Sequence, residues 1–363
     1  MNEKIRVGIV GLGEVAQTIH IPVLQHLSDK YTITAVCDLS KQLLDGINYI
    51  PTVKIKCNDY NKLVESPDVD LVFVINNGAY HTETAIAALK AGKDVFVEKP
   101  LGVSIPDVTK LKAIQEECKK LIFVGYMRRF APAFIALKND LPNLGKPLYV
   151  KSRDIIGTNN YFNKQAHNVI YPDDIPDEKK RERQEKNENF VKEAIGEASQ
   201  EVKNAYMLLL GLGVHDLSLV RELFGMPKSV QSAEVWKDGN FIRATLDYGD
   251  FKVAYDTGVV PHGIFDAQLE VIGENGIGTV YFDNPYLRNL PVHYERKITK
   301  GYEFSVEKIR PTYTDPFAAE LEHLYDHIKN RTEPKTNIAD SIEDLKLIKA
   351  IITAVQNKKE TYL

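Results

Sequence analysis

Three short runs in this chain combine residue types and spacings suited to chemistry. The first, Gly11-Leu12-Gly13-Glu14-Val15-Ala16, follows the β-branched run Arg6–Val10 and opens a helical pattern. In such a GxGxxA turn Gly11 permits the tight turn, Gly13 lets the backbone approach a pyrophosphate, and Ala16 keeps helix and strand close. The amides at the helix start, around Glu14, Val15 and Ala16, then face the phosphates. Asp38 closes the second apolar run, where an acidic residue receives ribose hydroxyls. A carboxylate there accepts from a free 2′-hydroxyl and repels a 2′-phosphate, which favours NAD over NADP. Lys41 nearby softens that discrimination. The plain alternatives are an ordinary βα turn and a helix N-cap.

The second run is Asp94-Val95-Phe96-Val97-Glu98 followed by Lys99-Pro100. It places an amine at the carboxyl edge of a parallel sheet, where open α/β folds bind ligands, and Pro100 restricts the backbone that aims it. A lysine there has a use: oxidising a secondary alcohol requires loss of its hydroxyl proton as hydride leaves carbon, and an amine of depressed pKa takes that proton near neutral pH. The plain alternative is a solvated lysine at a strand end. The third run, Gly213-Val214-His215-Asp216-Leu217, offers a second titrating group on a helix.

The elements that position these residues follow from periodicity. Up to about Gly125, short β-branched runs (Arg6–Val10, Ile33–Asp38, Leu71–Ile75, Asp94–Glu98, Leu121–Val124 and a weaker Val53–Lys56) alternate with helical patterns such as His81–Ala91, the signature of βαβ units. Beyond it come strands at Leu148–Asp154, Val230–Trp236, Phe241–Tyr248, Phe251–Asp256, Ala267–Gly273 and Thr279–Phe282. Turns are expected at Asp238-Gly239 and Gly249-Asp250. Two amphipathic helices, Pro316–Asn330 and Ile338–Asn357, end the chain. The expected fold is therefore α/β plus α+β: a Rossmann doubly wound parallel sheet over 1–125, and an open, mainly antiparallel sheet domain over 126–363. Between them, the charged stretch from Asp173 to Asn204 has no apolar stripe and reads as a surface insertion, with a substrate lid as the alternative.

A chain of 363 residues, 44% hydrophobic and 26% charged, has enough material for two cores. A formal charge of -4 supplies no field for nucleic acid or anionic membranes, so a small molecule is the expected partner. Cys37, Cys57 and Cys118 are odd in number and lack a CxxC pair, which argues against a disulfide framework and a zinc knuckle. With no secretory h-region and no span-length apolar run, a soluble cytoplasmic protein is expected. His323 and His327 stand i, i+4 without a third ligand, so no metal is expected.

The glycine turn, the run Ala91-Gly92-Lys93-Asp94-Val95-Phe96-Val97-Glu98-Lys99-Pro100-Leu101 and the Gly213–Leu217 run together resemble the glucose–fructose oxidoreductase, inositol dehydrogenase and rhizopine-catabolism (Gfo/Idh/MocA) family over nearly the whole chain. The resemblance implies that Lys99 is the proton-transfer residue beside the nicotinamide and that Glu98 lies in the cofactor pocket. Asn76-Asn77-Gly78-Ala79-Tyr80-His81 matches a family segment that often reads Thr-Pro-Asn-x-x-His. Asn76, Asn77 and His81 are therefore cofactor candidates, acting through backbone and amides. His215 matches the family's catalytic histidine, but the aspartate common four residues earlier is replaced by Gly211. Asp216 lies about 100° away on a helix and does not substitute for it. His215 is thus assigned a supporting role, orienting the hydroxyl or sharing the proton, or is a buried histidine satisfied by backbone. Tyr126, Arg128 and Arg129 resemble a motif at the edge of the active site, and Arg153, Asp154, Tyr161 and His167 follow where substrate contacts often lie. Of these Tyr126, Arg129, Arg153 and Asp154, with His215, are the substrate-binding candidates, against a solvent-facing polar cluster.

The reading these features support is an NAD-dependent dehydrogenase acting on a secondary hydroxyl of a polyol, sugar, cyclitol or glycoside. The alternatives are an NAD-assisted glycosidase with transient sugar oxidation, and a nicotinamide-binding sensor without turnover. An uncovered sheet face, and the resemblance, point to a homo-oligomer.

Overall fold

In a computed structural model, which describes residues 3–290 and 292–357, the chain divides into two compact units. One gathers Met1–Tyr126, His167–Ala194 and Glu320–Leu345; the other gathers Met127–Ala166, Ile195–Ala319 and Lys346–Leu363. The first switch of units falls between Tyr126 and Met127, and the stretches 167–194 and 320–345 return to the unit that holds the parallel sheet.

The first unit holds six strands: β1 (Ile5–Val10), β2 (Tyr31–Cys37), β3 (Ile55–Cys57), β4 (Leu71–Val74), β5 (Asp94–Glu98) and β6 (Ile122–Gly125). Their order is β3-β2-β1-β4-β5-β6 and every pair is parallel. The order reverses between β1 and β4, the switch point at whose carboxyl edge dinucleotides bind in doubly wound sheets. All four residues of β4 are buried because helices cover both faces. Phe73, Phe96 and Phe123 are in register on β4, β5 and β6 and stack across the sheet with centroids 4.6 and 6.0 Å apart.

The helix after β1 begins with a π turn, Ala16–His20, whose Ile21 amide reaches back to the Ala16 carbonyl. Pro22 has no amide to offer Thr18, and its ring crowds that carbonyl, so the wider turn is the local solution. The widened turn buries His20, which presents an edge to Phe73 and Phe96 at 5.8 and 5.3 Å.

The second unit is an eight-stranded sheet of β7 (Pro147–Gly157), β8 (Ser229–Trp236), β9 (Phe241–Asp247), β10 (Lys252–Val260), β11 (Phe265–Gly273), β12 (Gly276–Phe282), β13 (His293–Lys300) and β14 (Glu303–Ile309). The order is β14-β13-β12-β11-β7-β10-β9-β8, antiparallel throughout except for the parallel pair β7 and β10. Asp238 and Gly239 (φ 56° and 85°) and Gly249 (φ 90°) make the two expected turns. The β13–β14 hairpin was not expected: HYERKITK and EFSVEKI carry charge where an apolar alternation would be read, with β14 at the sheet edge and β13 inside it. The charged stretch Asp173–Asn204 contains a 19-residue helix, Asp177–Ile195, and the start of a second, Gln200–Leu208.

A second π turn, Leu209–Gly213, leads into the helix Val214–Phe224 and lies against the sheet at β10. A Cβ on Gly213 would come within 2.3 Å of the Tyr255 hydroxyl but 3.5 Å from the ring carbon that bears it. Gly213→Ala is therefore expected to lower stability by about 1–3 kcal/mol through overpacking. Combination with Tyr255→Phe, which removes only the clashing oxygen, should recover most of the loss in denaturant unfolding. An equal loss in both backgrounds would show that the clash is not the cause.

Candidate functional site

In the first unit the glycine turn is set by space and backbone geometry. Gly11 has φ +99°, and a Cβ there would sit 2.5 Å from the Asn76 amide nitrogen, so only glycine fits between β1 and the segment after β4. A Cβ on Gly13 would meet nothing within 4 Å: the turn leaves open room above it. Ala16 is buried and Val15 half-buried. The Glu14 carboxylate accepts from the Tyr171 hydroxyl at 2.8 Å. Asp38 accepts the Leu12 amide at 2.8 Å and the Ser40 amide at 2.9 Å, which orients its carboxylate on the glycine turn. Burial raises the Asp38 carboxyl, against the lowering effect of those two amides, and the charge of Asp174 adds to the rise. A turn with room for a pyrophosphate and an oriented carboxylate at the end of β2 fits a dinucleotide.

Around the switch point, Asn76 donates to Thr84 at 3.1 Å, while its buried Oδ1 has no protein partner among the described residues. An amide oxygen left so is suited to accept from a ligand. Asn77 caps a short 3₁₀ turn through the Ala79 amide at 3.2 Å. His81 is almost fully buried with Nδ1 2.7 Å from the Pro100 carbonyl and Nε2 3.0 Å from the Asn76 carbonyl. Burial lowers its pKa against the raising effect of those carbonyls. The ring thus ties the segment after β4 to the turn after β5.

Glu98 is the centre of this region. Phe96 and Glu98 are two apart on β5 and share a face, so Glu98 lies on the side where His20 packs. His20 Nε2 is 2.8 Å from Glu98 Oε1, and the Lys99 amide donates to Oε2 at 3.0 Å. The absence of a side chain at Gly125, where a Cβ would lie 2.9 Å from Phe96 and 3.4 Å from Glu98, leaves room for both. Burial alone would raise the Glu98 carboxyl; the hydrogen bond and charge of His20, with Lys99 and His81 nearby, outweigh it and hold the group ionised. Lys99 follows, partly exposed, with its peptide to Pro100 in the cis form.

Two residues of this cluster escaped sequence reasoning. His20 sits four past Ala16 on a helix whose π turn the motif does not reveal. Glu320, from the helix Pro316–Asn330, is fully buried and neither carboxyl oxygen has a partner among the described residues. Burial, then the charge of Glu98, push it well above the carboxylate range, with Lys335 opposing. Burial thus favours the protonated form of Glu320, which lies 222 positions from Glu98 in sequence.

In the second unit, the residues expected near a substrate are mostly committed to one another. Arg128 Nη1 donates to Asp154 at 2.8 Å and to Asp216 at 2.7 Å, all three buried, with the guanidinium 5.0 Å from the Phe282 ring centroid. Burial and the neighbouring Asp154 raise the Asp216 carboxyl well above its usual range, against Arg128. Arg129 is buried and bonds Glu222 at 2.6 Å, which also accepts from Lys138 at 2.8 Å. Arg153 and Asp154 alternate on β7: Asp154 faces the buried side, while Arg153 faces out and pairs with Asp266 at 2.7 Å. His215 is 8% exposed in the first turn of Val214–Phe224. The π turn before it changes the helical spacing on which an i−4 partner at position 211 was judged. Tyr161 is half exposed. In the first unit, Tyr126 is buried with its hydroxyl 3.4 Å from the Ser341 hydroxyl. Among the described residues no helix is long and apolar enough to cross a membrane, and no group of three His, Cys, Asp or Glu side chains could hold a metal.

Residues 5–126 match the oxidoreductase family described as an NAD-binding Rossmann fold, and residues 199–363 match its C-terminal alpha/beta domain. Over 161 residues the chain is 32% identical to inositol 2-dehydrogenase of Salmonella typhimurium, and over 153 residues 35% identical to myo-inositol 2-dehydrogenase of Thermotoga maritima. Each match covers 41% of this chain and 45% of the relative, so it spans less than half of either protein. Among solved structures, myo-inositol 2-dehydrogenase from Lactobacillus plantarum superposes with a TM-score of 0.71 at 19% identity over 98% of both chains. A 3-ketoreductase from Actinomadura kijaniata in complex with NADP and TDP-benzene gives 0.73 at 18% identity over 97% of this chain and 98% of that one. At those identities the likeness is one of fold.

Glu320 supplies a pH test. A carboxyl whose folded pKa lies above its unfolded value contributes stability that is fully present below the unfolded pKa and is lost as pH rises towards the folded one. Glu320→Gln, which stays neutral, should therefore melt higher than the wild type at pH 7, with the gap closing as pH falls below about 4.5, the usual glutamate range. A gap independent of pH would exclude a protonated Glu320.

Proposed function

Because the chain belongs to the Gfo/Idh/MocA oxidoreductase family, we propose that it moves a hydride between a nicotinamide dinucleotide and a secondary hydroxyl of a cyclitol, sugar or glycoside. The observation that carries this reading is the arrangement at the carboxyl edge of the six-stranded sheet: an open glycine turn, an oriented Asp38, and Lys99 held behind an ionised Glu98. The cofactor reading is NAD, on the charge of Asp38. When bound, the nicotinamide supplies the hydride acceptor or donor. The protein's part is to bind, orient and move the proton.

Gly11, Gly13, Glu14, Val15 and Ala16 would hold the pyrophosphate, Asp38 the ribose, and Asn76, Asn77, His81 and Glu98 the nicotinamide end. Lys99 would take the hydroxyl proton on oxidation and return it on reduction. The carboxylate of Glu98 accepts the Lys99 amide, and burial favours the protonated form of Glu320 beside it. His215 would orient the reacting hydroxyl. Arg128 and Asp154, spent on one another, would shape that region and not touch substrate; Arg153, at the outward face of β7, remains available to a ligand or a second copy. The outer sheet face around Tyr149, Lys151 and Arg153 is half-buried to exposed. A homo-oligomer would bury that face, and light scattering that finds a monomer would refute it.

The test is formation of NADH with a panel of inositols, sugars and glycosides, for wild type and Lys99→Ala. Loss of general acid–base catalysis should lower kcat by about 10²–10⁴-fold while the dissociation constant for NAD changes little. Unchanged kcat would remove Lys99 from the chemistry, and turnover of glycosides without net NADH would favour the bound-cofactor glycosidase.

A further inference from the structure

The charged insertion runs across the carboxyl edge of the first unit's sheet and touches the segments after four strands. After β1, the Ile170 amide donates to Gln17 at 2.8 Å, Gln17 donates back to the Ile170 carbonyl at 3.0 Å, and Tyr171 bonds Glu14. After β2, Asp173 accepts from the Gln42 side chain at 2.5 Å, while Asp174 accepts the Ser40 hydroxyl at 2.5 Å and the Gln42 amide at 3.0 Å. The helix Asp177–Ile195 continues past β4, where Glu182 meets the Tyr80 hydroxyl at 3.4 Å, Lys186 pairs with Glu83, and Asn187 lies 3.5 Å from Asn77. After β5, Glu193 accepts from Ser104. The insertion is a strap along the edge where the dinucleotide reading places the cofactor, and its acidic start lies at the adenosine end.

Resting on the NAD reading above, and deepening it, we propose that Asp174 is a second specificity-determining carboxylate, which acts with Asp38 to exclude a 2′-phosphate.

Ser40 links the two carboxylates, its amide donating to Asp38 and its hydroxyl to Asp174. The same hydroxyl accepts the Leu43 amide at 3.1 Å, and its one donor is already spent on Asp174, which leaves none for a phosphate. The hydrogen bond from Ser40, followed by that from the Gln42 amide, holds the Asp174 carboxyl below its usual range although it lies at the surface. Asp173 adds a third negative charge. Lys41, the cation that Asp38 alone would leave to greet a phosphate, is turned to Asp45 at 2.5 Å. A ribose diol can donate to such a surround; a phosphate dianion finds carboxylates, and donors already engaged.

The experiment measures dissociation constants of NAD and NADP by calorimetry on the full chain: wild type, Asp174→Asn, Asp38→Asn and Tyr171→Phe. Asp174 is exposed, so its substitution removes charge without opening a core. The wild type should prefer NAD; Asp174→Asn should tighten NADP by about tenfold while NAD stays within about threefold, as expected for one screened like charge. Tyr171→Phe, which loosens the strap without altering charge, should leave the NAD/NADP ratio where it was. If Asp38→Asn shifts the ratio and Asp174→Asn does not, the inference fails and the NAD reading stands. If Tyr171→Phe shifts the ratio as far as Asp174→Asn does, strap position and not charge sets the choice, and the inference fails. A wild type that prefers NADP overturns the NAD reading and the inference with it.

Discussion

A carboxylate buried at the end of a parallel strand must find a partner or give up its charge, and much of the first unit is arranged around how Glu98 meets that requirement. The partner is His20, which reaches it because Pro22 forces a π turn in the first helix and because Phe73 and Phe96 give the imidazole an apolar seat. Space for both comes from Gly125 on the neighbouring strand. Burial pushes the Glu320 carboxyl the other way, towards its protonated form. The two carboxyl groups are thus shifted in opposite directions, and Lys99 directly follows the one held low.

The second unit solves an equivalent problem with different parts. Asp154 on β7 and Asp216 on the helix after the second π turn share the Arg128 guanidinium, and their proximity in a buried place pushes the Asp216 carboxyl up. Removing one member of such a triad leaves a buried charge without its partner, so the triad ties the helix that carries His215 to β7. Arg129 with Glu222 and Lys138 repeats the device one residue on. The polar residues of the Met-Arg-Arg-Phe segment therefore serve chiefly to join elements.

The strap shows how an insertion without an apolar stripe keeps a defined course. Its helix has little to bury, and its attachments are polar, made to side chains and amides that the ends of parallel strands leave available. Strap attachments of that kind are weaker than core packing and more sensitive to charge and salt.

The sequence by itself determined the Rossmann sheet, the glycine turn, the Glu98-Lys99-Pro100 edge and the antiparallel character of the second sheet. Each is written in local periodicity, or in residues whose backbone requirements are their own, as with Gly11. Strands β13 and β14 were illegible because both carry charge at positions where apolar residues would mark a strand's alternation. Only the tertiary structure decided which charges meet: that His20 faces Glu98, that Glu320 stands behind it, that Arg128 takes Asp154 and Asp216, and that Asp174 comes to Ser40. Those pairings join residues from 26 to 222 positions apart. Local pattern carries no record of them, since the energy of a buried charge depends on what surrounds it in space, and that is settled only when the chain has packed.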